Sequence, residues 1–236
     1  MLLEQHQFWQ TIEPAGTFDP APAAGFSGGF PVALPDGRHL LLPIRVLPGD
    51  ANAAVASLII NQASFVVEDA LAEAMAALIR PYKPDVVVGV PTLGLPLASN
   101  VARRLGHSRM VALGTSRKFW YRPELSAPMS SITSPDQQKT IFLDPRMLPL
   151  LAGRQVAVVD DVISSGTSMA AVLTLLQQAD VKPVVIAAAM LQGDHWRAGL
   201  ARWQDRIVAP LASPRLARTA GGRWLPEQAS ANGTSG

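Results

Sequence analysis

The sequence contains no cysteine among its 236 residues. This absence excludes disulfides, thiolate catalysis and cysteine-ligated metal sites together. Aromatic residues make up only 6% of the chain. Long apolar runs are also missing, because even stretches such as residues 183–191 are much shorter than the roughly 20 residues of a membrane-crossing helix. We therefore expect a protein that neither spans nor binds a membrane.

Strong charge of either sign is absent as well. The formal net charge is only +2, and the lysines and arginines are scattered, so no basic stripe suggests contact with nucleic acid. The first ten residues, MLLEQHQFWQ, lack the basic segment and apolar core of a secretory signal, which predicts a cytoplasmic location. The four histidines show no metal-ligand spacing; they are His6, His39, His107 and His195.

The chain does contain enough apolar residues, 48%, to form a globular core. Residues 14–31 are rich in Pro, Gly and Ala and predict an irregular lead-in. The turn sequence Pro35-Asp36-Gly37 lies between two apolar runs and predicts a β-hairpin. Residues 53–80 have helical apolar spacing, which predicts two helices, or one bent helix, ending before Pro81.

Strand, loop and helix patterns alternate from Asp85 onwards. Continuous apolar strands that alternate with helices predict a parallel sheet covered on both faces. In such sheets, ligands bind at the carboxyl ends of the strands. The predicted strands are residues 85–90, 109–113, 154–161 and 182–191, with a short additional strand at 140–143.

The most informative stretch is VAVVDDVISSGTSM, residues 156–169. Asp160 and Asp161 stand at the end of a buried strand, and their carboxylates can accept hydrogen bonds from a vicinal diol or bind a hard cation such as Mg²⁺. The loop after them precedes a helix, whose first backbone amides attract phosphate. A sugar phosphate would satisfy both halves of the stretch. The loop residues are Ser164, Ser165, Gly166, Thr167 and Ser168.

This stretch resembles the phosphoribosyl-pyrophosphate (PRPP) motif of the type I phosphoribosyltransferases. Asp160 and Asp161 match its acidic positions, and residues 164–168 match its phosphate loop. Ser165 and Ser168 replace two threonines of the usual pattern but keep a hydroxyl at each position. Ser164 stands where some purine-specific members carry an Asp, which weakens a hypoxanthine-guanine specificity. The hairpin and the long N-terminal part look more like the adenine or xanthine branch.

Residues 88–98 resemble the family's pyrophosphate loop, with Pro91, Thr92, Leu93 and Gly94 in the binding positions. The alternative is an ordinary strand-to-helix turn. A long polar stretch, residues 114–138, contains SRKFWYRPELS, and there Arg117 and Lys118 look like the family's pair of pyrophosphate-contacting residues. In the family such a loop closes over the site. Alternatively, Trp120 and Tyr121 simply anchor the loop on the core or on a partner subunit.

The resemblance implies an α/β fold: a doubly wound, mostly parallel sheet flanked by helices, with a small hood built from N- and C-terminal segments. The expected parts are an N-terminal extension and hairpin (1–52), a PRPP-binding core (53–192) and a C-terminal hood part with a loose tail (193–236). Trp196, Trp203 and Trp224 could stack on a base in the hood, but a core role is favoured over stacking.

The implied reaction is transfer of ribose 5-phosphate from PRPP to a nucleobase, with purine favoured, and release of pyrophosphate. Asp160, Asp161 and Lys118 are the expected catalytic residues, and Mg²⁺ is the expected cofactor, with the two aspartates contributing indirectly to its site. A homodimer is also implied. The competing hypothesis is a catalytically idle PRPP-binding regulator or sensor, although no helix-turn-helix segment is visible.

Overall fold

The computed structural model describes residues 3–129 and 139–227. Four α-helices are present within these ranges: α1 (Phe65–Ile79), α2 (Gly94–Arg104), α3 (Thr167–Gln178) and α4 (Trp196–Gly199). The same ranges contain thirteen strands: β1 (Gly29–Ala33), β2 (His39–Leu47), β3 (Asp50–Ala56), β4 (Val86–Gly89), β5 (Val111–Ala112), β6 (Ser126–Met129), β7 (Lys139–Phe142), β8 (Val156–Ile163), β9 (Pro183–Gln192), β10 (Ile207–Val208), β11 (Leu211–Ser213), β12 (Arg215–Arg218) and β13 (Trp224–Pro226).

The predicted parallel sheet is confirmed. Its strand order is β10-β9-β8-β4-β5, with β11 also paired to β9, and all these pairs are parallel. Gly89 of β4 pairs with Val159 of β8 on one side and with Ala112 of β5 on the other. The carboxyl ends of these three strands therefore reach the same edge of the sheet.

Both faces of the sheet are buried. Ala157 and Val159 of β8 pack with apolar residues of α1 and α2, whereas Val156 and Val158 pack with those of α3 and the β6–β7 hairpin. Neighbouring residues of a strand point to opposite faces, so a continuous apolar run is needed when both faces are covered. This explains why the core strands lack alternating polar residues.

A second, antiparallel sheet forms the hood, in the order β1-β2-β3-β12-β13. Its N-terminal and C-terminal strands meet where β3 pairs with β12. The predicted hairpin at residues 35–37 is confirmed by the antiparallel pairing of β1 and β2. The fold class and the hood therefore agree with the sequence, while the exact domain bounds 1–52, 53–192 and 193–236 stay a prediction.

The predicted helical segment from residue 53 to 80 is wrong at its start. Ala53–Ala56 belong to β3, and α1 begins only at Phe65, where the Ser64 side chain accepts a hydrogen bond from the Val67 amide. This segment, Ala-Ala-Val-Ala, consists mostly of alanine, which has no strong strand preference of its own. It becomes a strand here because β2 and β12 pair with it from either side.

The long polar stretch is more structured than a loop. Residues 126–129 form β6, which pairs antiparallel with β7, and the hairpin packs its apolar residues against α3. The tip of this hairpin lies outside the described residues, as does the predicted tail beyond residue 227. In the described part of the chain, no helix is long and apolar enough to cross a membrane.

Candidate functional site

The two aspartates lie inside β8 rather than at its end, because β8 continues to Ile163. The pairing with β4 ends at Val159, but the pairing with β9 goes on, with Asp160 opposite Ala188. Asp160 therefore sits where the sheet opens on one side. Its side chain is almost buried, at 6% exposure, and its Oδ1 accepts a hydrogen bond of 2.9 Å from the Asp161 amide.

The environment of this pair disfavours negative charge. Burial raises the pKa of Asp160 well above its ordinary value, and the neighbouring Asp161 carboxylate raises it further. Burial also raises the pKa of Asp161. Two carboxylates held together without a cation are a destabilising arrangement, and perturbed carboxyl groups of this kind cluster at functional sites. The pair is suited to a ligand that supplies hydroxyl donors or positive charge.

The phosphate-loop candidates follow directly after β8. Gly166 adopts a left-handed conformation, with φ of 80°, and α3 begins at Thr167. The Ser165 hydroxyl donates to Thr167 Oγ1 at 3.0 Å and accepts from the Thr167 amide at 3.3 Å. A small cavity of about 110 Å³ is formed here and is lined by Asp160, Val162, Ile163, Ser164, Ser165, Gly166, Ser168 and Met169. Hydroxyls and the start of a helix thus share one cavity with Asp160.

The loop of residues 164–168 packs against the segment around α4. The sequence did not predict this contact. A side chain at Gly166 would lie 3.2 Å from the Trp196 Cα and 3.1 Å from Leu200 Cγ. Trp196 is buried, and its indole Nε1 donates to the Gly193 carbonyl at 3.0 Å. A side chain at Gly166 would therefore be strained by the backbone conformation and crowded by these two residues.

The predicted pyrophosphate loop reaches the same place. The Val90 amide donates to the Val159 carbonyl at 3.0 Å, and the peptide bond between Pro91 and Thr92 is cis. A Cβ atom on Gly94 would come within 2.8 Å of Asp160 Oδ1 and 2.9 Å of the Asp160 Cα. The structure therefore places Gly94 directly against Asp160, while the binding role predicted for residues 91–94 stays a prediction.

The basic pair is not brought into contact with these residues. Arg117 and Lys118 are exposed and make no side-chain hydrogen bond or ion pair within the part of the chain that is described. Their loop is anchored: Trp120 hydrogen-bonds Asp144, and the Tyr121 ring lies 5.8 Å from the Phe142 ring. For these two aromatic residues the anchoring alternative is confirmed, while the roles of Arg117 and Lys118 stay a prediction.

The C-terminal tryptophans do not present exposed rings on which a base could stack. Trp196 and Trp224 are buried, which confirms the core role for both. Trp203 is half-buried, and the Arg206 guanidinium lies 5.8 Å from its ring centre. Among residues 3–129 and 139–227, no cluster of three or more His, Asp or Glu side chains could hold a metal. Asp160 and Asp161 supply two carboxylates, one fewer than such a cluster needs.

A family model for the phosphoribosyl transferase domain matches residues 60–205. The chain belongs to this family. The match contains α1, the whole Asp160–Ser168 segment and the basic loop. The resemblance of the PRPP motif to the type I phosphoribosyltransferases is thereby confirmed.

Solved phosphoribosyltransferases show the same fold. An adenine phosphoribosyltransferase from Giardia lamblia, in complex with 9-deazaadenine, is 21% identical, with a TM-score of 0.56 over 72% of this chain and 93% of the other. An adenine phosphoribosyltransferase from Saccharomyces cerevisiae is 17% identical, with a TM-score of 0.56 over 72% of this chain and 94% of the other. At these identities the similarity establishes the fold alone.

Curated relatives of this family member carry a different name. The chain is 37% identical over 99 residues to transcriptional regulator GfcR of Methanosarcina mazei, and 36% identical over 103 residues to transcriptional regulator GfcR 1 of Methanosarcina barkeri. The matches cover 41% and 43% of those relatives and 42% and 44% of this chain. The chain therefore spans less than half the length of these regulators.

Proposed function

We propose that this protein is a phosphoribosyltransferase that transfers ribose 5-phosphate from PRPP to a purine base and releases pyrophosphate. The observation that carries the proposal is the continuity of the Asp160–Asp161 pair with the hydroxyl-lined loop at the start of α3. A ligand with hydroxyls next to a phosphate group uses both halves at once.

The 5-phosphate of PRPP is assigned to the loop of residues 164–168. Backbone amides at the start of α3 and the hydroxyls of Ser165 and Thr167 are the available donors. A hydrogen bond to a charged group contributes about 1.5–3 kcal/mol, so several of them hold a phosphate without a lysine or arginine. A cavity of about 110 Å³ matches a phosphate group rather than a whole nucleotide.

The ribose hydroxyls are assigned to Asp160 and Asp161. Breaking the anomeric bond leaves positive charge on the sugar and negative charge on the diphosphate. The two carboxylates stabilise the positive charge, and the low-dielectric surroundings of the buried Asp160 strengthen that effect. Residues 91–94, whose Gly94 lies against Asp160, are assigned to the diphosphate, together with Arg117 and Lys118 once their loop approaches.

Magnesium fits this arrangement, since Asp160 and Asp161 form a paired carboxylate group with raised pKa values that a cation would relieve. When bound with PRPP, Mg²⁺ would neutralise charge on the leaving diphosphate. Because the structure contains only two carboxylates here, we assign them an indirect part in holding the ion.

A homodimer is part of the same proposal and is checked by light scattering during size-exclusion chromatography.

A second candidate is a PRPP-binding regulator without turnover. It is favoured by the relatives named transcriptional regulator GfcR, which are more similar in sequence than the adenine phosphoribosyltransferases that share the fold. The site described above would serve either function, since both require PRPP to bind. The exposed, basic loop favours the enzyme, because a transferase must shield its reactive sugar from water.

One experiment separates the two. The protein is incubated with PRPP, Mg²⁺ and, separately, adenine, xanthine, hypoxanthine, guanine, orotate or uracil, and pyrophosphate release is measured. We expect release with adenine or xanthine. Calorimetric binding of PRPP without release for every base would support the regulator instead, and no binding of PRPP at all would overturn both candidates.

A further inference from the structure

The centre of the basic loop is held by an ion pair from another part of the chain. Trp120 Nε1 donates to Asp144 Oδ2 at 3.3 Å, and the Arg146 guanidinium lies 4.3 Å from the centre of the Trp120 ring. Arg146 Nε also donates to both oxygens of Asp144, at 3.0 and 3.1 Å. We call Trp120, Asp144 and Arg146 the latch. It combines a hydrogen bond, a cation–π contact and a forked ion pair.

The two ends of the loop are fixed by the same part of the chain. Gly114 exchanges two backbone hydrogen bonds with Phe142, of 3.0 and 2.8 Å, at the start of the loop. Near the end of the loop, the Leu143 amide donates a 3.0 Å hydrogen bond to the Leu125 carbonyl. Residues 142–146 therefore hold the loop at its beginning, middle and end.

This anchoring sets where the loop lies relative to the site. Ala112 of β5 is level with Gly89 of β4, which is level with Val159 of β8. The loop thus begins at the same sheet edge as Asp160, two strands away, or about 10 Å at the usual strand spacing. The hairpin that carries Phe142 packs on α3, whose first residues form the phosphate loop.

The two basic residues of the loop, Arg117 and Lys118, could bind a diphosphate, and neither takes part in the latch. Arg117 and Lys118 are exposed, and Phe119 beside them is 97% exposed. A loop whose purpose was only to cover the core would direct its apolar residue inward. Here the latch holds the following tryptophan and leaves the preceding basic pair free within the described residues.

We propose that Trp120, Asp144 and Arg146 are positioning residues that keep Arg117 and Lys118 at the carboxyl edge of the sheet, available to the diphosphate of PRPP. This inference rests on the proposed function, because it assumes that PRPP binds at Asp160–Ser168. It adds a role for three residues outside the PRPP motif. None of the three needs to touch the substrate.

The test uses Arg146→Gln, which removes the fork and the cation–π contact but changes an exposed side chain. Arg154→Gln is the matched control, since Arg154 is also exposed and makes no side-chain hydrogen bond within the described residues. Arg146→Lys keeps the charge but loses the planar fork, so we expect it to rescue only part of the effect. Trp120→Phe tests the indole hydrogen bond separately.

Two measurements are made on each full-length variant. The first is the rate of trypsin cleavage after Arg117 and Lys118, which reports the loop directly; Arg122 is followed by Pro123 and is not a cleavage site. The second is the PRPP dissociation constant by calorimetry, with the KM for PRPP and kcat where turnover occurs. For Arg146→Gln we expect faster cleavage and about a 10-fold weaker affinity and higher KM for PRPP, since small misplacements of binding groups are costly.

Faster cleavage with unchanged PRPP affinity and KM would overturn the proposal, because the latch would then be structural only. Unchanged cleavage would overturn it as well. If the wild-type protein does not bind PRPP, the proposed function fails, and the positioning role that rests on it fails with it. A parallel loss in Arg154→Gln would show that the effect is one of net charge, which also contradicts positioning.

Discussion

The two halves of the candidate site are built in different ways. The crossover from β8 to α3 brings Asp160 and the phosphate loop together within nine consecutive residues, through contacts such as Ser165 to Thr167. The basic loop is held instead by residues 142–146, about 25 positions further along the chain. A part of the site made from consecutive residues can be recognised in the sequence as a motif. A part whose position depends on residues far along the chain cannot.

The two regions also differ in how their carboxylates affect stability. The crossover keeps the buried Asp160 beside the partly buried Asp161, an arrangement that costs stability and that the proposed function assigns to ligand binding. The latch pairs its only carboxylate with an arginine and is therefore stabilising. We expect substitutions in the first region to affect mainly turnover, and substitutions in the second to affect mainly how the loop is placed.

The largest expected effect is that of replacing both aspartates of the crossover. Asp160→Asn combined with Asp161→Asn should lower turnover by about 100-fold or more, because the carboxylates opposite the developing sugar cation are lost. Pyrophosphate release measures it, and circular dichroism checks the fold. Asp205→Asn, at an exposed position, is the control. Turnover equal to that of the wild type would refute the assignment.

Replacing Gly94 should have a smaller effect, on both stability and PRPP affinity. A methyl group there would lie 2.8 Å from Asp160 Oδ1, and the backbone of Asp160 is equally close. Gly94→Ala should therefore lower the free energy of unfolding by about 1–3 kcal/mol and reduce PRPP affinity. Urea unfolding and calorimetry give the two quantities. Gly221→Ala, where the nearest atom is 3.9 Å away, should change neither.

Removal of one hydroxyl from the phosphate loop should weaken PRPP binding by about 10-fold. The Ser165 hydroxyl is exposed to the cavity and also orients Thr167, so Ser165→Ala removes a donor to the phosphate. Thr174→Ala, further along α3, removes a hydroxyl that bonds only to the Ala170 carbonyl, and affinity should not change. Equal affinities for all three proteins would mean that backbone amides alone bind the phosphate.

The crossover should be more stable without its buried charge. Because the pKa of Asp160 is raised in the folded state, folding is favoured by this group below about pH 4 and less so as the pH rises through the folded-state pKa. Asp160→Asn should therefore raise the free energy of unfolding at neutral pH by about 0.5–2 kcal/mol. Chemical unfolding at several pH values measures it. A variant less stable than the wild type at pH 7 would contradict the burial argument.

The latch should show the opposite dependence on pH. Hydrogen bonds from Arg146 lower the pKa of Asp144 to about 2, so this carboxylate stabilises the protein above about pH 4 and the benefit is lost as the pH falls toward 2. The stability difference between the wild type and Asp144→Asn should shrink over that range. A difference that stays constant down to pH 2 would show that the ionised carboxylate is not responsible.

Much of the fold followed from local patterns. The apolar run of β8 and the helical spacing of α3 predicted a parallel sheet, and the turn at residues 35–37 predicted the hairpin. The strand at Ala53–Ala56 was missed because its pairing partners lie elsewhere in the chain. The β6 strand was missed for a similar reason, since only its pairing with β7 makes a polar segment extended.

The sequence by itself determined the α/β class and predicted the acidic pair and the phosphate loop, because these depend on patterns within single strands, turns and helices. Tertiary structure alone decided which side of Asp160 is open, which residues support Gly166 and how Trp120 is held. These features depend on burial and on contacts between distant segments, such as that of Gly94 with Asp160 or of Trp120 with Asp144. Such contacts form only when the chain has folded, and no short stretch of residues encodes them.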